Sequence, residues 1–390
     1  MTEHYDVVIA GGGIHGVGVA QAAACAGHSV LLLEKTRLAA GTSSRSSKLV
    51  HGGLRYLEGY DFGLVRESLH ERTTLLRVAP ELVKLRPFHI PVYPETSRRP
   101  LTLRAGLTLY ALLGGFHRGS SFRTLHRNEW SDLDGLNTQH LQAVFQYHDA
   151  QTNDVELTRA VMQSAVQFGA TLACPAEFRA AQLEPDRCAV QYRENGIDKH
   201  CTAGALVNAG GPWAGRLDAR IDPAPTPVPI ELVQGAHLIL EESLTKGCYY
   251  MEAPQDRRAV FLLPWGEHSM LGTTEHDYTG HPADVESLEH EKAYLLEVFR
   301  HYFPTRSSRV LDSFAGLRVL PASDNAAFSR SRETMLPVDN PQRPRVVSIY
   351  GGKLTGYRAT AQKIMRLLAH SLPKRKALAH TVDVKLTPVD

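Results

Sequence analysis

The sequence predicts an α/β fold, a nucleotide-binding layer with a second domain inserted into it, and three observations carry that prediction. The chain opens with an apolar run, Tyr5-Asp6-Val7-Val8-Ile9-Ala10, that ends in Gly11-Gly12-Gly13-Ile14-His15-Gly16. Near the other end, Val346-Val347-Ser348-Ile349-Tyr350 runs into Gly351-Gly352-Lys353-Leu354-Thr355, a second strand–glycine–helix unit. Between them lie the signals of an antiparallel sheet, at Glu231 to Leu240, Arg258 to Trp265 and Ser269 to Tyr278.

Taken in order, the first run is a buried strand. A strand that turns into a helix through Gly-x-Gly-x-x-Gly lets the backbone touch a pyrophosphate, and the helix start offers unpaired N–H groups and partial positive charge. Val17 to Ala26 reads as a small-residue helix, Gly27 suits its C′ position, and Ser29 to Leu33 reads as a second strand. Glu34 follows 18 residues after Gly16, where an acid binds a ribose hydroxyl. The set predicts a dinucleotide site that includes Gly11, Gly13, Ile14, Gly16, Glu34 and Lys35. A glycine-rich turn with no ligand would leave Glu34 unexplained.

A nicotinamide domain would run from Glu34 into another helix and strand. Here Gly41 to Leu57 is a long polar loop instead, as though it lay along an extended cofactor. A flexible Ser-rich linker seldom carries a set such as His51, Arg55 and Tyr56, which are costly to order. Thr42, Ser43, Ser47, Lys48, Leu49, His51, Gly52 and Gly53 are the expected contacts. Glu156 to Gly169 then reads as a helix leading into the strand Ala170 to Cys174. The small apolar strand Ala205 to Ala209 precedes Gly210-Gly211-Pro212-Trp213 and adds Ala209, Gly210 and Trp213. Asp284 to Phe303 reads as an amphipathic helix stopped by Pro304, and Tyr357 to Ala369 as the closing helix. The start of that last helix brings Gly352, Lys353, Leu354 and Thr355. Placed at a flavin pyrimidine, it would stabilise the negative charge that develops there. The two ends of the chain are thus expected to build one site.

Composition narrows the class. With 390 residues, 43% hydrophobic and 22% charged, the chain suits a soluble enzyme of two domains. A net charge of +2 gives no footing for nucleic acid. The five cysteines include no Cys-x-x-Cys, so cysteine-bound metal and dithiol chemistry are not expected, and a reduced cytoplasmic setting is. The first strand begins near residue 5, so no signal peptide is expected. No segment approaches the ~20 apolar residues of a membrane span.

Ser46-Ser47-Lys48-Leu49-Val50-His51-Gly52-Gly53-Leu54-Arg55-Tyr56-Leu57-Glu58 closely resembles the signature of FAD-dependent glycerol-3-phosphate dehydrogenases and related oxidases. Matches continue through Gly210-Gly211-Pro212-Trp213, Gly235-Ala236-His237, Pro264-Trp265, Gly272-Thr273-Thr274, Gly316-Leu317-Arg318 and the segment Gly351 to Arg358. The resemblance implies FAD as cofactor, held by a Rossmann-type domain of the discontinuous, glutathione-reductase-like kind. The expected pieces of that domain are 1–86, 145–224 and 310–390. The expected α+β substrate domain, on an antiparallel sheet, is 87–144 with 225–309. Family members usually continue into a C-terminal helical domain, and this chain, ending at Asp390, is expected to be a short form. Departures are His15 where the family often has Asn, and Leu317-Arg318-Val319 where Val-Arg-Pro is usual.

The reaction so implied is oxidation of sn-glycerol 3-phosphate to dihydroxyacetone phosphate. Hydride leaves carbon for flavin N5 while a base takes the hydroxyl proton. Such a site needs cations for the phosphate, and an arginine fork binds two oxygens at once. Arg318, Arg332 and Arg55 are the candidates, with Arg330 competing with Arg332. Gly316 lies beside Arg318 and is read with the cofactor contacts. Lys353 at a helix start opposes the helix dipole, which argues for a job on reduced flavin or substrate oxygen. His51 and His237 compete for the base, and Tyr56 is either a donor to substrate or packing. Two other functions fit: an oxidase or dehydrogenase of another small anionic hydroxy or amino compound, and a non-catalytic flavin-binding subunit. From Thr96 to Asn128 there is no acid but Arg98, Arg99, Arg104, Arg118, Arg123 and Arg127, interleaved with leucines. That pattern is either a core helix with a basic solvent face or a contact with the inner face of the cell membrane, where a quinone would accept electrons.

Overall fold

The computed structural model describes residues 3–115, 119–322 and 334–389, and its strands fall into two sheets that face a common cavity. The first sheet has a parallel centre. Glu3–Ala10 lies between Ile197–Asn208 and Val30–Leu33, and Thr171–Ala173 flanks the latter. Val7, Val8, Ile9 and Leu31 to Leu33 are buried on both faces, which is why these strands read as unbroken apolar runs. Ile197–Asn208 is shared. Its first half pairs antiparallel with Cys188–Glu194, and its last three residues pair parallel with Val346–Ser348.

Three helices cover one face of this sheet: Ile14–Cys25, Asp154–Gln167 and Tyr357–Leu368, with Val17, Val161 and Ile364 in a shared core. The first helix ends as its sequence predicts. Gly27 takes φ +88°, its N–H donates to the Ala24 carbonyl, and that of His28 donates to Ala23. The second starts two residues earlier than its apolar pattern suggests, because Asn153 accepts the N–H groups of Val155 and Glu156.

The second sheet runs in the order His276–Tyr278, Ile230–Leu240, His268–Gly272, Ala259–Trp265, Cys248–Glu252, Val83–Val92, Ala143–Thr152, Leu49–Val50. Val310–Pro321 pairs with the free side of Ile230–Leu240. This differs from the expected division at 87, 145 and 310. Val83–Val92, Ala143–Thr152 and Val310–Pro321 lie wholly in the second sheet. Ala143–Thr152 then passes through Asn153 straight into a helix of the first layer, so no composition change marks the crossing. The strand expected over Ser269 to Tyr278 is broken after Gly272, where Thr274 Oγ1 accepts the Ala236 N–H. The helix expected from Asp284 starts at Glu289, because Glu291 accepts the Leu288 N–H and fixes the first turn there. Leu295, Val298 and Phe299 of that helix bury against Ala236, Leu238 and Leu262.

Candidate active site

Between the two sheets lies a cavity of about 780 Å³, within the range of cofactor and small-molecule sites. Its floor comes from the glycine-rich ends of the first layer and its roof from strands of the second. Gly11 has φ +118°, and a methyl group there would lie 2.5 Å from the Ala209 carbonyl oxygen, so two strand ends meet edge to edge. Glu34 lines the cavity and clamps the turn, accepting N–H groups from Gly12 and Thr36 at 2.8 Å each. Ser43 Oγ accepts the Ile14 N–H at 2.9 Å, which ties the hydroxyl-rich loop to the helix start. Thr42 Oγ1 donates to the Leu317 carbonyl at 2.8 Å, which ties the same loop to the roof.

The expected cofactor contacts Gly11, Gly13, Ile14, Glu34, Lys35, Thr42, Ser43, Ser47, Leu49, His51 and Gly53 all line this cavity. So do Ala209, Gly210, Trp213, Gly316, Gly352, Lys353, Leu354 and Thr355. Three do not. Gly16 sits below the turn, where a methyl group would overlap the Gly11 carbonyl oxygen; its role is to let the helix pack against the turn. Gly52 packs on Leu69 and the Tyr110 hydroxyl. Lys48 points away from the cavity. Its ammonium is buried, pairs with Asp154 Oδ1 at 2.7 Å and donates to the Ser44 carbonyl at 2.6 Å. Burial lowers the pKa of that ammonium and Asp154 opposes the shift, so Lys48 acts as a strut under the loop.

The roof carries the cations. Arg318 projects from Val310–Pro321, with Nη2 donating to Thr273 Oγ1 at 3.1 Å and Nη1 lying 3.3 Å from Glu275 Oε1. Arg258 lines the same region and donates to the Glu275 carbonyl at 3.2 Å. The Lys353 ammonium sits 3.7 Å from the centre of the Tyr56 ring, and Arg55 also lines the cavity. Arg332 and Arg330 lie outside the described residues. Phe88, Tyr147, Tyr250 and Phe261 close the cavity beside Arg55 and Tyr56. Sequence reasoning missed Arg258, Glu275 and this aromatic wall.

The two histidines part company. His51 lines the cavity, its backbone N–H donates to Thr355 Oγ1 at 3.1 Å, and its ring lies 6.3 Å from that of Tyr56. His237 stacks on Phe314 at 4.9 Å, and its Nε2 lies 2.9 Å from Ser47 Oγ. Burial, then Arg318 and Lys48, push its pKa down to about 3. The ring of His237 is therefore held neutral by its surroundings.

A long groove with glycine turns at two places, Gly11 to Gly13 and Gly351 to Gly352, and a hydroxyl-rich loop between them fits an extended dinucleotide. A group of guanidinium and ammonium side chains faces the groove. This arrangement suits a protein that carries a dinucleotide and offers cations to a small anion. The sequence pattern of the FAD dependent oxidoreductases matches residues 6–361, and the chain belongs to that family, with FAD as its cofactor. It is 38% identical over 389 residues to a glycerol-3-phosphate dehydrogenase of Pseudomonas tolaasii, covering 95% of this chain and 72% of that one. It is 34% identical over 380 residues to D-erythritol 1-phosphate dehydrogenase of Brucella abortus, covering 95% and 75%. The fold is that of the glycerol-3-phosphate dehydrogenase of Bacillus halodurans complexed with FAD, with a TM-score of 0.76 at 24% identity, over 98% of this chain and 68% of that one.

Proposed function

We propose that the chain oxidises sn-glycerol 3-phosphate to dihydroxyacetone phosphate and passes the electrons to a membrane quinone. The carrying observation is that Arg258, Arg318 and Lys353 line one cavity with both glycine turns. FAD, when bound, supplies the hydride acceptor. Arg318 and Arg258 hold the phosphate, and Glu275 and Thr273 keep the Arg318 fork aimed. His51 takes the hydroxyl proton as the carbon gives up hydride, and the C–O bond becomes a carbonyl. Lys353, braced on Tyr56, faces the oxygen on which charge changes. The aromatic wall keeps water from the reacting carbon.

Likeness to a D-erythritol 1-phosphate dehydrogenase favours a second substrate, a longer polyol phosphate. Anaerobic titration of the yellow protein separates the readings. Millimolar glycerol 3-phosphate is expected to bleach the flavin and glycerol is not. Bleaching by erythritol phosphate alone would exchange the two substrates, and bleaching by neither would end the proposal.

The membrane reading rests on the helix Pro100–Leu113. Leu101 is 81% exposed and Leu112 57%, Tyr60 and Phe62 are exposed on a preceding segment, and Arg99 and Arg104 supply charge. Among the described residues no helix is long and apolar enough to cross a membrane. Sedimentation with anionic vesicles should carry the protein down, and the double variant Leu101→Asp, Leu112→Asp should stay in solution. Equal partition of the two would remove this helix from the contact.

A further inference from the structure

Glu291 lies in the first turn of the helix Glu289–Tyr302, is 2% exposed, and takes no part in the chemistry proposed above. A first-turn glutamate closes a capping box with one oxygen and ordinarily keeps its carboxylate in water. Here Oε2 does the capping, accepting the Leu288 N–H at 3.0 Å and Gln234 Nε2 at 2.5 Å. Oε1 is directed elsewhere and accepts the Thr274 hydroxyl at 2.6 Å. These three donors are neutral, and a carboxylate withdrawn from water on such bonds is stable only while both oxygens stay satisfied. Thr274 is fixed from two sides, because its Oγ1 donates to Glu291 and accepts the Ala236 N–H at 2.8 Å. With that hydroxyl held, the stretch from Thr273 to Glu275 is held too, and it is the anchor of Arg318. Nη2 of Arg318 donates to Thr273 Oγ1 at 3.1 Å, and Nη1 lies 3.4 Å from the Thr274 carbonyl oxygen and 3.3 Å from Glu275 Oε1. Gly235 permits this fit: a methyl group there would lie 2.5 Å from Thr273 Oγ1 and 2.8 Å from Arg318 Nη2.

We infer that Glu291 is a positioning residue for substrate binding, which aims the Arg318 fork through Thr274. The inference rests on the reading of Arg318 as a holder of the substrate phosphate. An amide at 291 keeps the shape of the side chain but turns an N–H toward one of the three donors that the carboxylate accepts. Valine at 274 keeps the branched shape of threonine and removes the hydroxyl that links Glu291 to the anchor.

The test is steady-state kinetics of the holoenzyme with glycerol 3-phosphate and a dye acceptor, with flavin content measured for each variant. Glu291→Gln and Thr274→Val are each expected to raise KM about five- to tenfold, with kcat within about twofold and flavin content unchanged. In an Arg318→Ala background the added Glu291→Gln change is expected to move KM less than about twofold, because the group it aims is gone. An equal multiplication of KM in both backgrounds would overturn the inference, since Glu291 would then act without Arg318. A fall in kcat and flavin content with KM unmoved would overturn it as well, because that is the mark of general damage to the fold. A Glu291→Gln protein with the parental KM, beside an Arg318→Ala protein with a raised one, would remove Glu291 and leave the phosphate reading standing. An unchanged KM in Arg318→Ala would end the phosphate reading and this inference with it.

Discussion

Lys48 and Arg318 are both cations that the sequence points to, both meet a carboxylate, and they have opposite uses. The Lys48 side chain is 5% exposed and its partner Asp154 is fully buried. Arg318 is 23% exposed beside Glu275 at 7%, and its fork opens on the cavity. Asp154 starts a helix of the first layer, and Lys48 sits under the loop that lines the cofactor groove. That pair holds two chain segments together and has no face left for a ligand. Arg318 is anchored by Thr273 and Glu275 at longer distances, 3.1 and 3.3 Å, and retains accessible surface. A charge sunk among Trp265 and Phe314 serves the scaffold, whereas a charge anchored at one edge and open at the other can serve chemistry.

The contrast breaks most visibly if the strut is cut. Asp154→Asn strands a buried ammonium, which costs about 3–5 kcal/mol. A large fall in Tm with loss of bound flavin is expected from thermal melts and flavin content. Lys48→Met combined with Asp154→Leu should recover part of the stability, because two apolar groups replace a charge pair. An Asp154→Asn protein as stable as the parent would mean that this pair holds nothing.

Arg318→Ala tests the other side. Losing charge-assisted bonds to a phosphate costs about 2–3 kcal/mol, or roughly 30- to 150-fold in KM. Tm should shift little and FAD should stay bound. A collapse in Tm with unchanged KM would place Arg318 with Lys48 as scaffold.

The smallest expected effect concerns His237, which stands between the two cations. Its folded pKa of about 3 lies below the ordinary 6.5 of an unfolded chain, so the unfolded state takes up the proton first. Its contribution is complete above pH 6.5 and is lost as pH falls towards 3, by about 2 kcal/mol at pH 5. Melts at pH 7.5 and 5 should therefore differ less for His237→Gln than for the parent. Parallel pH curves would show that the ring is not held neutral by its surroundings.

Much of the first layer could be read from sequence, because a strand buried on both faces is an apolar run and its glycines fall where the backbone must turn. Gly27 closes its helix as local rules require. The second layer was harder. Val310–Pro321 has an apolar face, but nothing local says that it pairs with Ile230–Leu240 some eighty residues earlier. Arg258 read as the first residue of a strand; its meeting with Glu275 arises only when Ala259–Trp265 folds against His268–Gly272. Lys48 misled for the same reason. Its neighbours in sequence belong to the groove, and its partner Asp154 is more than a hundred residues away.

The direct run of Ala143–Thr152 through Asn153 into Asp154–Gln167, together with the return of the chain from Val310–Pro321 to Val346–Ser348, stitches the layers by repeated crossings. Neither layer is a contiguous stretch that could be cut out and grafted. New substrate preferences in this architecture must therefore arise by point changes on the roof strands, made while the cofactor floor stays in place, and not by swapping one module for another.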